Sequence, residues 1–386
     1  MEGKFKIDKK VILVYSILAI MLISIFISIN KGIKNGFTDK EGFNTVKAKI
    51  IEMLYDNTNK KPERKDANYC RYQEFKIRIE DGKHKNEVYT MRNTVETMDV
   101  YNIIVSKGDE IFVCVSENND GKIVNLHIFD ISREKYIYIF IGLFFILLLV
   151  IGGYKGAKSI ITLILTAFMV VKVLLPLILK GYNPITVTIF VCIIIVSSTL
   201  LIISGINRKT LTAILGTLGG VFTAGVMSLI VGYAAKISGL ANEDVQMLAY
   251  LPNRMNMDFK GILFAGIIIG ALGAVMDVSM SIASAMHEIE EVKPDISNKA
   301  LIKSGMNIGK DIMGSMSNTL ILAYTGSALE LMLLFMASST TFREIINLDM
   351  VSAEIIRAIA GSIGLALTIP LTVIIAANIR NHKSSK

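Results

Sequence analysis

The sequence predicts a mainly α-helical fold: a polytopic transmembrane helical bundle of about eight helices, with a small extracytoplasmic β-rich domain. Three observations lead to this prediction. Hydrophobic residues make up 52% of the 386 positions, and the mean hydropathy is +0.52. Charged residues make up 19%, below the roughly 25% typical of soluble domains. The apolar residues form long uncharged stretches, interrupted by one polar region with an alternating pattern.

Eight segments are each about long enough, at ~1.5 Å per helical residue, to cross a hydrocarbon core ~30 Å thick. Four contain no charged residue: Val11–Asn30, Tyr136–Tyr154, Tyr182–Asn207 and Thr210–Ala235. The other four contain one each: Ile160–Leu179 with Lys172, Gly261–Met286 with Asp277, Ile312–Met336 with Glu330, and Ile355–Ile379 with Arg357. In chain order these segments are the predicted spans one to eight.

Span one follows a basic start, which fits either a cleaved signal peptide or a retained anchor. Its apolar run is nearer twenty residues than ten, and no small-residue cleavage site follows it, so we expect a retained anchor. The predicted domains are 1–35 for a cytoplasmic tail and anchor, 36–134 for the extracytoplasmic domain, 135–380 for a seven-helix transmembrane domain, and 381–386 for a cytoplasmic tail.

The distribution of Lys and Arg over the short loops predicts the orientation, because basic loops resist translocation. With the N-terminus inside, the cytoplasmic segments carry fifteen basic residues and the short outer loops carry five. Both termini are therefore predicted to be cytoplasmic. The net charge of +8 comes from these inner loops, since residues 31–135 hold nineteen basic and eighteen acidic residues. No nucleic-acid partner is needed to explain the charge.

The pattern of apolar residues in region 36–134 predicts five short strands. Alternation begins at Val46-x-Ala48-x-Ile50 and recurs at Phe75-x-Ile77-x-Ile79, and further runs lie at 88–91, 111–115 and 123–129. Turns of the Asp-Gly type, such as Asp81-Gly82, separate strands in β-hairpins. We predict an OB-like or small-barrel domain. It acts either as a surface for a partner or, in the simpler interpretation, as a spacer or lid.

Two loops and one cysteine pair complete the layout. The outer loop Lys236–Lys260 is polar, and the inner loop His287–Asp311 restarts after Pro294 with Asp295 or Ser297 as a helix N-cap. Its later part is either an interfacial helix or an extension of span seven. Cys70 and Cys114 lie in the extracytoplasmic domain, where a disulfide is chemically permitted but has no spacing signature.

Sequence signatures of soluble enzymes are missing. There is no phosphate-binding loop, no His-Glu-x-x-His, no Gly-x-Ser-x-Gly and no Cys-x-x-Cys. The histidines at 84, 127, 287 and 382 fall in different predicted compartments. We therefore expect a chain that is not an enzyme and that uses no cofactor or metal. An intramembrane enzyme would also need paired catalytic residues, which the spans lack.

The candidate binding residues lie on spans six and seven. In span six, Asp277, Ser281 and Ser284 share one helix face, with Gly266, Gly270 and Gly273 nearby. In span seven, polar residues share another face, and helix rise places both faces in the inner third of the membrane. The predicted set for a substrate or ion is Asp277, Ser281, Ser284, Asp311, Ser315, Asn318, Thr319 and Tyr324.

Two interpretations of these faces stay open. A carboxylate inside a membrane costs ~2.5–3.5 kcal/mol on the mildest insertion scale, which favours a proton, ion or substrate site at Asp277. Alternatively, the faces form an interhelical hydrogen-bond seam worth ~0.6 kcal/mol per bond. Lys172, Glu330 and Arg357 lie in the outer half, and we expect them to pair and neutralise charge, as Lys172–Glu330 or Glu330–Arg357.

Three segments of these spans resemble the YibE/F family of bacterial membrane proteins. They are Gly273–Ile282, Gly309–Leu320 and Ala323–Gly326. The order of anchor, β-rich portion and helical bundle is also similar, and Ser315 stands where many relatives are expected to have threonine. The resemblance implies a membrane protein or permease of the bacterial plasma (inner) membrane, and it names no substrate.

The sequence thus supports two hypotheses about function. The first is a secondary transporter or permease, driven by a proton or ion gradient, with its site between spans six and seven. Its partners would be the lipid bilayer and a small molecule or ion. The second is a membrane scaffold or sensor whose extracytoplasmic domain binds a partner. Water access to Asp277 distinguishes them, because a transporter needs a polar cavity and a scaffold needs only packed helices.

Overall fold

The computed structural model describes residues 44–58, 71–95, 102–118, 121–240, 243–250, 257–338 and 340–380. The described residues divide into two compact units, one ending at residue 147 and one beginning at residue 148. Each unit is considered by itself. The predicted first span Val11–Asn30, the predicted tail 381–386 and Cys70, one of the two extracytoplasmic cysteines, all lie outside the described residues.

The first unit contains a five-stranded antiparallel sheet, called the β domain. Its strands are β1 (Asn44–Asp56), β2 (Arg71–Ile79), β3 (Val88–Val95), β4 (Glu110–Glu117) and β5 (Ile123–Ile131). They are ordered β3-β2-β1-β4-β5, and the two edge strands approach each other, so the sheet is a nearly closed barrel. The five predicted strands are confirmed.

The apolar residues of the alternating pattern all point to the same side of the sheet, and this side becomes the inside of the barrel. Ala48, Ile50, Phe75, Ile77 and Ile111 are all buried in its core. Two irregularities in the pairing of β1 with β2 bend the strand, as bulges do in small barrels. The predicted period of two therefore identified the core face correctly.

One buried polar residue ties a loop to this core. Gln73 is fully buried, and its amide bonds both backbone groups of Val105, with N–O distances of 2.9 and 3.0 Å. Its Nε2 also donates to Asp56 Oδ2 at 2.8 Å. These bonds satisfy the buried amide, as buried polar groups require. Gly82 and Gly121 turn the chain with φ of 76° and 75°, a region that favours glycine.

The second unit is helical, and the first residues of its first helix, up to residue 147, belong to the first unit. The helices are α1 (Glu134–Met169), α2 (Leu175–Leu179), α3 (Pro184–Ser204), α4 (Arg208–Ala234), α5 (Glu243–Ala249), α6 (Phe259–Val292), α7 (Asn298–Ser327), α8 (Leu329–Ala337), α9 (Phe342–Asn347) and α10 (Asp349–Ile379). A π-helical segment, Val170–Leu174, joins α1 to α2.

Within the described residues, five helical stretches are long and apolar enough to cross a membrane, or six if a bent pair counts as one span. Predicted spans two and three both lie in the 46-residue stretch Glu134–Leu179. Gly153 interrupts it with φ 52° and ψ −128°. A methyl group on Gly156 would lie 2.8 Å from the carbonyl carbon of Leu148, so the helix bends sharply there. The total of eight spans stays a prediction.

The centre of the helical unit is the contact between α4, α6 and α10. Ser279 of α6 is fully buried and donates to the Ala213 carbonyl of α4 at 2.9 Å, and its hydroxyl lies 3.0 Å from that of Thr372 on α10. Gly220 of α4 lies directly against Thr368 of α10. Glycine allows the helices this close approach, as in other membrane bundles.

Helices α6 and α7 are longer than their predicted spans. Helix α6 continues to Val292, and α7 begins at Asn298, so the predicted inner loop His287–Asp311 shrinks to a short connection. Ser297 is the N-cap, accepting a bond from the Ala300 amide, which confirms one of the two predicted caps. The later part of the predicted inner loop, from Asn298 onward, is therefore an extension of span seven. Helices α7 and α8 meet at a 59° bend.

Candidate functional site on helices α6 and α7

Helix α6 has one packed face and one open face. Ile268, Val275 and Ile282 lie on the packed face and are buried. The predicted residues Asp277 and Ser281 are exposed on the opposite side, and Ser284 is half-buried. The structure gives Asp277 no hydrogen bond or ion pair within the described part of the chain. The predicted grouping of these three residues on one face follows from the helix itself, and that face is not enclosed by a described helix.

The glycines of the open face leave room beside the carboxylate. A methyl group added to Gly266 or Gly273 would meet no atom within 4 Å. Gly273 lies one turn from Asp277 on the same side of α6. The open face therefore combines an acidic side chain with exposed backbone.

Helix α7 is divided in the same way. Leu301, Gly305, Gly309 and Leu320 are buried. The predicted residues Asp311, Ser315, Asn318 and Thr319 are all exposed.

The exposed hydroxyls of α7 bond to their own helix. Ser315 Oγ donates to the Ile312 carbonyl at 3.0 Å, and Thr319 Oγ1 donates to the Ser315 carbonyl at 2.9 Å. These bonds leave oxygen lone pairs for a ligand. Asn318 makes no hydrogen bond within the described residues, so its amide is free to turn.

Three close approaches fix the register of the antiparallel helices. Added methyl groups would lie 2.7 Å from Met286 Sδ at Gly305, 3.4 Å from Ile282 Cδ1 at Gly309, and 2.5 Å from Tyr324 Oη at Gly270. Counting along both helices from these contacts places Asp277 level with Gly314 to Ser317. Asn318 is within about one turn of that level. The two predicted polar faces are thus at one depth.

Tyr324 is the predicted site residue that reaches across to α6. Its hydroxyl lies against Gly270, and it is buried without a hydrogen-bond partner in the described chain. Gly270 is seven residues from Asp277, which is about 10 Å along the same helix face. Tyr324 therefore stands two turns from the carboxylate, on the side nearer α8.

Of the expected charge pairs, Glu330–Arg357 is not formed within the described residues. Arg357 Nη1 donates to Glu354 Oε1 at 2.6 Å, one turn away on α10, and both side chains are about three-quarters buried. Glu330 is exposed on α8, and Lys172 is exposed on the π-helical segment. The partner of Arg357 is therefore Glu354. The i, i+3 spacing of these two residues was the sequence signal for this pair.

Two adjoining cavities open between α7, α8 and α10. The first is apolar, has a volume of about 390 Å³, and is lined by Tyr324, Met332 and Phe335 among others. The second is polar, has a volume of about 490 Å³, and is lined by Asp244, Ser327 and Glu330 among others. Ala328, Leu331 and Glu354 line both cavities, so the two lie side by side.

The described residues contain no group of three or more His, Cys, Asp or Glu side chains close enough to hold a metal ion. The polar groups that are present, a carboxylate beside neutral oxygens, suit a proton, an ammonium group or a small cation.

Several helices able to cross a membrane, joined to a barrel-like β domain, define a polytopic membrane protein with an N-terminal β domain. The chain belongs to the YibE/F family: the model of the YibE/F-like protein matches residues 140–382, and that of the YibE/F family N-terminal domain matches residues 42–131. No curated protein and no solved structure matches the chain.

Proposed function

We propose that this chain is a secondary transporter or permease whose site lies on the adjoining polar faces of α6 and α7. The observation that carries the proposal is the place of Asp277. It is an exposed carboxylate in the middle of an apolar helix, level with Gly314 to Ser317 of the next helix. Leaving such a group to lipid costs about 2.5–3.5 kcal/mol or more, so it implies contact with water or a ligand.

The proposed path runs along the open face of α6. It starts at the cavities beside Glu354, passes the contact of Tyr324 with Gly270, and reaches Asp277 about 10 Å further on. In this arrangement Tyr324 narrows the path, because its ring occupies the space that Gly270 leaves. A rotation of the Tyr324 side chain would then open or close the path.

The chemical roles follow from the side chains. Asp277 takes up and releases a proton, or binds a cation, as its charge changes. Ser281, Ser284, Asn318 and Thr319 supply neutral oxygens that hold a bound solute without adding charge. We place the protein in the bacterial plasma membrane with both termini in the cytoplasm, on the distribution of basic residues over its loops.

The second candidate function is a membrane scaffold or sensor. The β domain favours it, because it has its own core and could present a surface to a partner. The packed contact of Ser279 with Thr372 at the centre of the helical unit also shows that part of the polar content of the spans is structural.

Proton-coupled uptake separates the two candidates. Purified full-length protein is reconstituted into liposomes that contain the pH dye pyranine, and a panel of amino acids, amines and inorganic cations is added outside. We expect at least one solute to change the internal pH. Asp277→Asn should abolish that change, and Asp295→Asn, which removes an exposed carboxylate in the α6–α7 connection, should not.

Two outcomes would count against transport by this site. An Asp277→Asn variant with wild-type fluxes would exclude Asp277 as the coupling residue. A wild-type protein that moves no solute and no proton would favour the scaffold.

A further inference from the structure

The two adjoining cavities between α7, α8 and α10 have opposite chemistry. The apolar cavity is walled by side chains such as Met332, Phe335, Phe342 and Ile355. The polar cavity carries carboxylates from three different helices, Asp244 of α5, Glu330 of α8 and Glu354 of α10. Glu354 lies on the boundary. A molecule that occupies both cavities must be apolar at one end and polar at the other.

The polar end has an excess of negative charge. Arg357 pairs with Glu354. Asp244 and Glu330 make no ion pair within the residues that the structure describes. Three carboxylates therefore face one guanidinium, and a positively charged group is the complement that this end lacks.

A buried acceptor at the boundary also lacks a partner. Glu354 Oε1 is bonded to Arg357, whereas its other oxygen, Oε2, is buried without a hydrogen bond in the described chain. The hydroxyl of Tyr324, which lines the apolar cavity, is likewise buried and unbonded. Buried acceptors are normally satisfied, so these two atoms mark places where a ligand donor fits. An ammonium group supplies three N–H donors and the missing charge.

We propose that the two adjoining cavities together bind an amphipathic cation, a primary amine with an apolar tail. The tail lies in the 390 Å³ cavity among the aromatic and methionine side chains, and the ammonium group lies against Glu354 Oε2 with Glu330 and Asp244 nearby. Both volumes are in the range of small-molecule sites, roughly 300–1,000 Å³. The inference does not depend on transport, because binding at this place requires nothing of Asp277.

The chain contains no tryptophan, which permits a single fluorescent reporter. Phe335→Trp places it in the wall of the apolar cavity, in full-length protein in nanodiscs of zwitterionic lipid. The probes are octylammonium, octanol and octanoate, which share one tail and differ in head-group charge. We expect a saturable fluorescence change with octylammonium, at least tenfold weaker binding of octanol, and no saturable change with octanoate.

Two variants test the acidic end in the reporter background. Glu330→Gln, which breaks no ion pair of the described chain, should weaken octylammonium binding about three- to tenfold, and adding Asp244→Asn should weaken it further. Glu288→Gln is the matched control, an exposed carboxylate of α6 outside both cavities, and it should leave binding unchanged.

Each contrary result overturns a stated part of the inference. Equal responses to all three probes would mean that they only partition into lipid. Binding of octylammonium that is insensitive to Glu330→Gln and to the double variant would refute the acidic end. A reporter protein that melts like wild type and shows no saturable change would refute the site. By contrast, retention of octylammonium binding in Asp277→Asn is the expected result, and it would distinguish this site from the proposed transport residue.

Discussion

Replacing Gly220 with alanine tests the tightest contact that a glycine makes between two helices of the described chain. The added methyl group would overlap Thr368 Oγ1 and lie 2.9 Å from both Thr368 Cβ and Val275 Cγ1. Thr368 and Val275 are fully buried, so neither side chain has free space to enter. The substitution therefore forces α4 away from α6 and α10, or turns Thr368 out of its present position.

The expected cost combines three contributions. Overpacking a well-packed interior costs about 1–3 kcal/mol. Turning Thr368 loses its 2.8 Å bond to the Gly364 carbonyl, worth about 0.6 kcal/mol in a membrane protein. Alanine, a better helix former than glycine, returns up to about 1 kcal/mol. With the full return from alanine, we expect a net destabilisation of about 0.6–2.6 kcal/mol.

The assay is unfolding of the purified full-length protein in mixed micelles, followed by helical circular dichroism as SDS increases. Gly266→Ala is the matched control, since it makes the same change in α6 where no atom lies within 4 Å, and it should be neutral or slightly stabilising. In a double-mutant cycle, Thr368→Ala removes the overlapping oxygen and should recover part of the loss from Gly220→Ala. If Gly220→Ala is as stable as Gly266→Ala, the close approach of α4 to α10 is wrong.

Three further predictions concern the β domain and the topology. A fragment of residues 36–134 should fold alone and give β-type circular dichroism, because it has its own core; a disordered or helical spectrum would contradict this. The hydrogen bond from Lys47 lowers the pKa of Glu110 in the folded state. The ion pair therefore contributes to the free energy of unfolding above the ordinary glutamate pKa of ~4.3, and this contribution is lost as pH falls through the lower folded-state pKa. Glu110→Gln should therefore flatten the acid limb of the fragment's pH–stability curve by about 0.2–1 kcal/mol, and an unchanged curve would exclude the pair. Phosphatase fused near Gly82 should be active and a fluorescent protein fused there dark, whereas the reverse would invert the predicted orientation.

The sequence alone identified the strands and the long helices, and it placed two polar residues at similar levels along neighbouring helices. The period of two over Val46–Ile50 and Phe75–Ile79 identified strands because one face of a barrel must be apolar. Apolar length identified the long helices, and Ser297 marked the start of α7. Helix rise alone placed Asp277 and Asn318 at similar depth, and the register of α6 and α7 agrees with it.

Tertiary structure decided which face of each helix is covered. Ser279 and Ser281 stand two residues apart in one motif, yet Ser279 is buried against α4 and α10 while Ser281 is exposed. Helical periodicity groups residues on faces, but small and apolar residues occur all round α6, so the pattern does not say which neighbour packs where. The same holds for Tyr324 against Gly270 and for the cavities beside Glu354, which depend on the 59° bend between α7 and α8. Such sites arise from non-local packing, and a local pattern carries no information about it.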